Sequence, residues 1–298
     1  MKKIIALSAL LLATCVVFAQ DADTAEPLKN KRGITILPQV GEWGLGVSAD
    51  PFLRYLGNVM NGSTSNSGPS FSYTSQPMSN VALFGKYVKS EDTYYRARLN
   101  INISTDIDKE VIAADQLIPP ANGFPAFTED WRKSSNQTVV LAAGLEKRRG
   151  STRVQGLYGA ELILGYSGGQ RSYDYGNPIS ASVQNPTTFD FGDNVNGPAR
   201  VTEVKLGTSV FAGARGFIGV EYFIAPRISL SGEFGYTIGL NSTGKSVVTS
   251  EFWNTGTNSV ISSKSDDYQN GRFLNNATTS FSARLDNING FINIMFYF

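Results

Sequence analysis

Residues 94–103 read Tyr94-Tyr95-Arg96-Ala97-Arg98-Leu99-Asn100-Ile101-Asn102-Ile103. Tyr95, Ala97, Leu99, Ile101 and Ile103 fall on one parity; Tyr94, Arg96, Arg98, Asn100 and Asn102 fall on the other. A β-strand sends successive side chains to opposite faces, so this segment has an apolar face and a face bearing two full charges. The pattern returns along the chain. Val139, Leu141, Ala143 and Leu145 alternate with Val140, Ala142, Gly144 and Glu146. Val154, Tyr158, Ala160, Leu162, Leu164 and Tyr166 stand opposite Gln155, Gly159 and Glu161. Ile228, Leu230, Phe234, Tyr236, Ile238 and Leu240 alternate with Ser229, Ser231, Glu233, Gly235, Thr237 and Gly239. Trp43, Leu45 and Val47 do the same near the start, and Val81, Leu83 and Tyr87 more weakly. From Val201 to Ile224 the reading is one unbroken phase, with Arg215 and Glu221 on the polar side.

Together these give eight strands, near 41–56, 79–89, 93–104, 136–148, 152–166, 201–224, 228–241 and 280–298. Three connections are tight: Ser90-Glu91-Asp92, Arg149-Gly150-Ser151 and Ala225-Pro226-Arg227. The other four, near 57–78, 105–135, 167–200 and 242–279, are long and rich in Asn, Ser, Thr, Gly and Pro. Long and short alternate strictly. A soluble β-sandwich also alternates its strands but gives no reason for alternating loop lengths. A transmembrane antiparallel up-and-down β-barrel does, with short periplasmic turns, four long extracellular loops, an apolar face to lipid and a polar face to the lumen. The predicted fold is therefore all-β, an eight-stranded barrel over 41–298.

Composition narrows the chemistry. The 298 residues contain no histidine and one cysteine, and 17% are charged. That excludes a Ser-His-Asp triad, imidazole acid/base catalysis and a histidine-ligated metal. It also excludes a disulfide framework. Lys2 and Lys3 precede an apolar stretch, Ile4 to Phe18, and Val17-Phe18-Ala19 supplies small residues where a leader is cut, so residues 1–19 read as a signal peptide cleaved near Ala19. A lipoprotein start at Cys15 fits poorly after Thr14. Loss of the leader leaves 24 basic and 25 acidic residues, so no basic field exists for nucleic acid. Residues 20–40 then read as a polar periplasmic tail.

Two segments carry a family resemblance. The chain ends on Phe298, with Phe296, Ile294 and Ile292 at alternate positions behind it, which is similar to the C-terminal signal of Gram-negative outer-membrane proteins. Gly219-Val220-Glu221-Tyr222-Phe223-Ile224-Ala225-Pro226-Arg227-Ile228-Ser229-Leu230, continuing to Tyr236, resembles the penultimate hairpin of small porin-like outer-membrane barrels of the Bacteroidota type. The resemblance implies an eight-stranded barrel in the cell outer membrane, inserted by the assembly machinery that reads the last strand. It implies no activity. Asp23-Thr24-Ala25 is also similar to the short O-glycosylation site of that phylum.

Candidate residues follow from parity. Arg96, Arg98, Glu146, Glu161, Arg215, Glu221 and Glu233 face the lumen as a charge network, with Lys86 and Glu42 as further candidates. An eight-stranded interior is just wide enough for side chains to fill it, so the expected role is structural. Tyr87, Tyr94, Tyr95, Tyr222, Phe223, Phe296 and Phe298, with Trp43, lie near the short turns, where an aromatic girdle belongs. Trp131, Phe252 and Trp253 are candidate loop contacts, and 247–261 reads as a hairpin extending the last two strands. Asp106 with Asp108, and Asp266-Asp267, read as solvated loop charge. No catalytic, cofactor or metal residue is assigned. The expected function is a non-enzymatic membrane anchor, interaction platform or accessory subunit whose extracellular loops meet a protein partner. The alternative is a narrow channel for small or apolar solutes, motivated by the glycine-rich inner face of 201–224.

Overall fold

The computed structural model describes residues 27–48, 83–115, 126–192, 199–265 and 277–298. The leader with Cys15, Thr24, the first long gap, strand ends 49–56 and 79–82, and Asp266-Asp267 lie outside the described residues. No helix occurs among the described residues. Eleven strands do: β1 (Trp43–Ser48), β2 (Leu83–Ser90), β3 (Thr93–Ala113), β4 (Phe127–Arg149), β5 (Val154–Asp174), β6 (Arg200–Lys205), β7 (Ser209–Ala225), β8 (Ile228–Thr243), β9 (Val247–Asn254), β10 (Ser259–Ser265) and β11 (Thr278–Tyr297).

All pairings are antiparallel, and eight strands close into a ring in the order β1-β2-β3-β4-β5-β7-β8-β11, with β11 returning to β1. The closing register sets Leu45 opposite Phe296 on one side and Gly85 on the other. Backbone bonds between Trp43 and Phe298 (3.0 and 2.8 Å) finish the seam. Closure gives each of the eight strands a hydrogen-bonded partner on both sides at the level of the ring. The tight turns β2–β3, β4–β5 and β7–β8 all lie at one end, the short-turn end, where β1 also begins and β11 finishes.

Burial alternates with the sequence period. Along β7, Val210, Ala212, Ile218, Val220, Tyr222 and Ile224 are exposed, while Phe211, Arg215, Phe217, Glu221 and Phe223 are buried. The outer face is thus apolar and the inner face carries the charges.

Four features differ from the sequence reading. The stretch 201–224 is two strands, not one. β5 pairs Ser167 with Ser209 but Gln170 with Lys205, a one-residue slip across 206–208. The break falls where Gly207 passes Gly244 so closely that a Cβ there would sit 1.9 Å from the Gly244 carbonyl oxygen. The slip reverses the phase, so Val204 is buried although Val210, of the same parity, is exposed. Second, the gap 105–135 is largely strand: β3 and β4 stay in register out to Ala113 opposite Phe127, and β5 runs on to Asp174. Third, 247–261 does form a hairpin, β9–β10, but its first strand, β9, pairs with β6 rather than extending the last two strands of the ring. Fourth, residues 27–40 do not stand off as a tail. They fold back on a Lys29–Thr35 bridge and pack against the short-turn end.

Candidate functional site

The interior is built in layers from the short-turn end. The lowest is closed by the N-terminal segment: Ile36 is 1% exposed and packs with Val88, Tyr94, Phe223 and Tyr297, backed by Leu28 and Leu37. Its carbonyl accepts the Arg227 N–H at 3.0 Å, tying the segment to the β7–β8 turn. Arg148 lies among these rings, 3.8 Å from the Tyr94 centroid, and donates to Tyr297 Oη at 2.8 Å and Gln155 Oε1 at 3.1 Å.

The next layers hold the charges. Glu146 is met by Lys86 at 3.0 Å, Arg96 at 3.0 Å and Arg148 at 2.9 Å. Glu221 is met by Lys86 at 3.2 Å and by Arg148, and it accepts hydrogen bonds from Ser229 and from Tyr297 at 2.8 Å. Glu233 pairs with Arg96 at 2.9 Å and Arg215 at 3.5 Å. Glu161 pairs with Arg215 at 3.1 Å, Arg96 at 3.4 Å and Arg98. All seven residues singled out by parity therefore meet in one network, joined by Lys86 and Arg148. Every member is nine-tenths buried or more. Charges so far from water cost several kcal/mol each unless paired on all sides, which is why each carboxylate here has at least two cationic partners. Above the network, Val140, Ala142, Ile163 and Phe211 form an apolar layer.

The inner glycines do not leave space. On the inner face of 201–224 a Cβ at Gly213 would meet the Phe211 ring at 2.7 Å, and one at Gly219 the Leu157 side chain at 3.0 Å. On the neighbouring β8 a Cβ at Gly235 would meet the Arg215 guanidinium at 2.3 Å, and one at Gly239 the Phe211 ring at 2.4 Å. Gly159 would meet Phe217 at 2.7 Å. Small residues on this face make room for Phe211, Arg215 and Phe217, which occupy it.

Beyond the ring, the long strands carry a second packed region. The segment after β5 returns along the β3–β4 extension, where Asp130, fully buried, accepts the N–H groups of Gly176 (2.9 Å) and Phe189 (2.7 Å). Asn177 donates to the carbonyls of Ala113 and Thr187, both at 2.9 Å. Arg132 donates to the Phe191 carbonyl and pairs with Asp108, each at 2.7 Å. Tyr173, Val201, Val204 and Val248 form a core there, flanked by Tyr175, Phe191 and Leu206. Burial pushes the Tyr175 phenol well above its usual value, against the opposing pull of Arg200, while its hydroxyl donates to the Val201 carbonyl at 2.6 Å.

The remaining candidates divide. Trp131 is exposed on the outer face of the extension, with the Lys109 ammonium 3.7 Å from its centroid. Phe252 and Trp253 are half-buried in β9, opposite Ile261 and Val260. Phe296, on the outer face of β11, and Phe298, just past its end, are exposed, while Ile292 and Ile294, on the same face as Phe296, are half-buried. Of the girdle residues, Trp43, Tyr87 and Tyr95 sit directly opposite one another on β1, β2 and β3, with ring separations of 4.9 and 6.3 Å. Tyr94 and Phe223 are not among them: both point inward and are buried. Glu42 lies at the rim, paired with Arg227 at 2.6 Å. Asp108 is held by Arg132, and among the described residues no His, Cys, Asp and Glu gather as a metal site. Neither a family model, a curated protein nor a solved structure matches the chain.

Proposed function

We propose that this chain is an outer-membrane β-barrel that acts as a non-enzymatic anchor and presents the packed region beyond its ring as an interaction platform. The observation that carries the reading is the union of an apolar outside with a filled, salt-bridged inside. On β8 the exposed row Leu230, Phe234, Tyr236, Ile238 and Leu240 covers ten residue steps. At ~3.3 Å per step and a ~40° tilt it rises about 25 Å, the height of an outer-membrane apolar belt. Water offers no reason for such a row on ring strands whose partners bury Glu221, Glu233 and Arg215.

The filled interior favours an anchor over a channel. Interior layers from Ile36 through the charge network to Phe211 are occupied, and the glycine face that motivated a solute path is taken by large side chains. Purified protein in planar bilayers tests this: the proposal expects no stable large conductance steps, and regular large steps would replace it with the channel reading.

A further inference from the structure

We infer that the rim at the short-turn end is a binding surface for anionic phospholipid headgroups. The inference rests on the membrane reading and adds to it a leaflet and a lipid chemistry.

Charge is divided unevenly between the two ends. Outside the interior network, the ring's short-turn end carries Lys89, Lys147, Arg149, Arg153 and Arg227 against Glu42, Glu91 and Asp92. The N-terminal segment has Lys29, Lys31 and Arg32 exposed, but its sequence also carries Asp21, Asp23 and Glu26, so the excess of bases belongs to the ring's own rim. At the far end, among the described residues, acids outnumber bases by ten to eight. The whole chain is close to neutral, so the basic rim is a matter of placement rather than composition.

That placement is specific. Lys89 follows Tyr87 by two positions on the outer face of β2, and its ammonium lies 5.1 Å from the Tyr95 ring. Lys147 and Arg149 follow Leu145 on the outer face of β4, and all three are exposed. The cations therefore begin where the outward row of Trp43, Tyr87 and Tyr95 ends. Aromatic rings prefer the headgroup level, which brings the ammonium and guanidinium groups to the depth of lipid phosphates. Asp92 pairs with Lys147, and with Ser90 and Thr93, and Glu42 pairs with Arg227, which leaves Lys89, Arg149 and Arg153 against Glu91 as the rim's excess. Arginine binds phosphate oxygens in pairs, and lysine attracts them as a point charge. An anionic lipid is thus favoured over a zwitterionic one, whose own ammonium offsets its phosphate.

The test is native mass spectrometry of the refolded mature protein released from micelles holding equal phosphatidylglycerol and phosphatidylcholine. Preferential retention of phosphatidylglycerol is expected. Each basic group near an anionic surface is worth about a fivefold change in affinity, so Lys89→Gln/Arg149→Gln/Arg153→Gln should lower the preference about a hundredfold. A far-end variant, Lys109→Gln/Lys133→Gln/Lys245→Gln, should keep it. Equal retention of the two lipids overturns the inference, as does a preference that survives in the rim variant. Poly-glutamate outcompeting phosphatidylglycerol would assign the rim to an acidic polypeptide instead. If the rim variant fails to fold, a salt titration of the unmodified protein decides: the preference must fall steeply with ionic strength, and a salt-independent preference overturns the inference. Insertion is read separately, by protease protection in vesicles. Insertion without lipid preference rejects the headgroup surface alone, and failure to insert rejects the membrane reading.

Discussion

Glu146→Gln removes one charge from the centre of the interior while keeping the shape of the side chain. Glu146 holds Lys86, Arg96 and Arg148 at 2.9–3.0 Å, and it is fully buried. The described network has five cations, Lys86, Arg96, Arg98, Arg148 and Arg215, and four carboxylates, Glu146, Glu161, Glu221 and Glu233. Neutralising Glu146 deepens an existing excess of positive charge. Lys86 and Arg148 then share Glu221 alone. Removing one partner of a buried pair typically costs about 3–5 kcal/mol, and the amide should fall in that range. Arg98→Met works against the excess instead: Glu161 keeps Arg215 and Arg96, so the loss is that of charge-assisted bonds, about 1.5–3 kcal/mol. Adding Lys86→Met to Glu146→Gln removes a stranded cation and should restore part of the loss, a coupling that a double-mutant cycle measures. The assay is urea unfolding of refolded protein, followed by the mobility difference of folded and unfolded bands on unheated gels. A Glu146→Gln midpoint equivalent to less than about 1 kcal/mol, or a larger cost for Arg98→Met, would refute the account of the interior.

Three further outcomes follow. Ile36→Ala should cost about 2–4 kcal/mol by opening a cavity at the short-turn end, and it should expose residues 27–40 to protease before the ring unfolds; equal protease resistance would show that the segment is not held by Ile36. Gly144→Ala should impair refolding, because its Cβ would lie 2.1 Å from the Ala160 carbonyl oxygen, whereas Gly216→Ala, with open space around it, should be neutral; similar refolding yields would contradict the packing. The Asp92 carboxyl is held well below the usual carboxylate range by the Lys147 ammonium and the Thr93 and Ser90 hydroxyls. A depressed folded-state value stabilises above the unfolded one, so Asp92→Asn should lose about 0.5 kcal/mol at neutral pH, and the difference should vanish as acid protonates the native carboxylate; a difference that grows in acid would reverse the sign.

The ring was legible because each of its strands separates two unlike surroundings, and period two records that separation residue by residue. The same rule explains what was missed. Arg148 continues the parity of Glu146 as the last residue of the predicted strand 136–148, next to the Arg149-Gly150-Ser151 turn, and it is not among the sequence candidates. Tyr94 and Phe223 share parity with Arg96 and Glu221, and their aromatic character outweighed that signal. Residues 105–111 are exposed on both faces of the strand, so Asp106-Ile107-Asp108-Lys109 shows no apolar stripe although it is strand. Ile36 lies in a short apolar run with Ile34, Leu37 and Val40, of which Ile34 and Val40 are exposed; its burial comes from contacts with β2, β3, β7 and β11 that periodicity does not encode. The slip at Gly207 depends on the approach of Gly244, a non-local event.

The most direct test of the central claim uses the absence of cysteine after residue 19. Nitroxide labels on single cysteines at Leu162, Ile218, Phe234 and Lys109, in protein reconstituted into vesicles, report contact with oxygen in lipid or with a water-soluble nickel reagent. The membrane-barrel account predicts oxygen-dominated relaxation at Leu162, Ile218 and Phe234 and nickel-dominated relaxation at Lys109. Nickel-dominated relaxation at all four sites would contradict it.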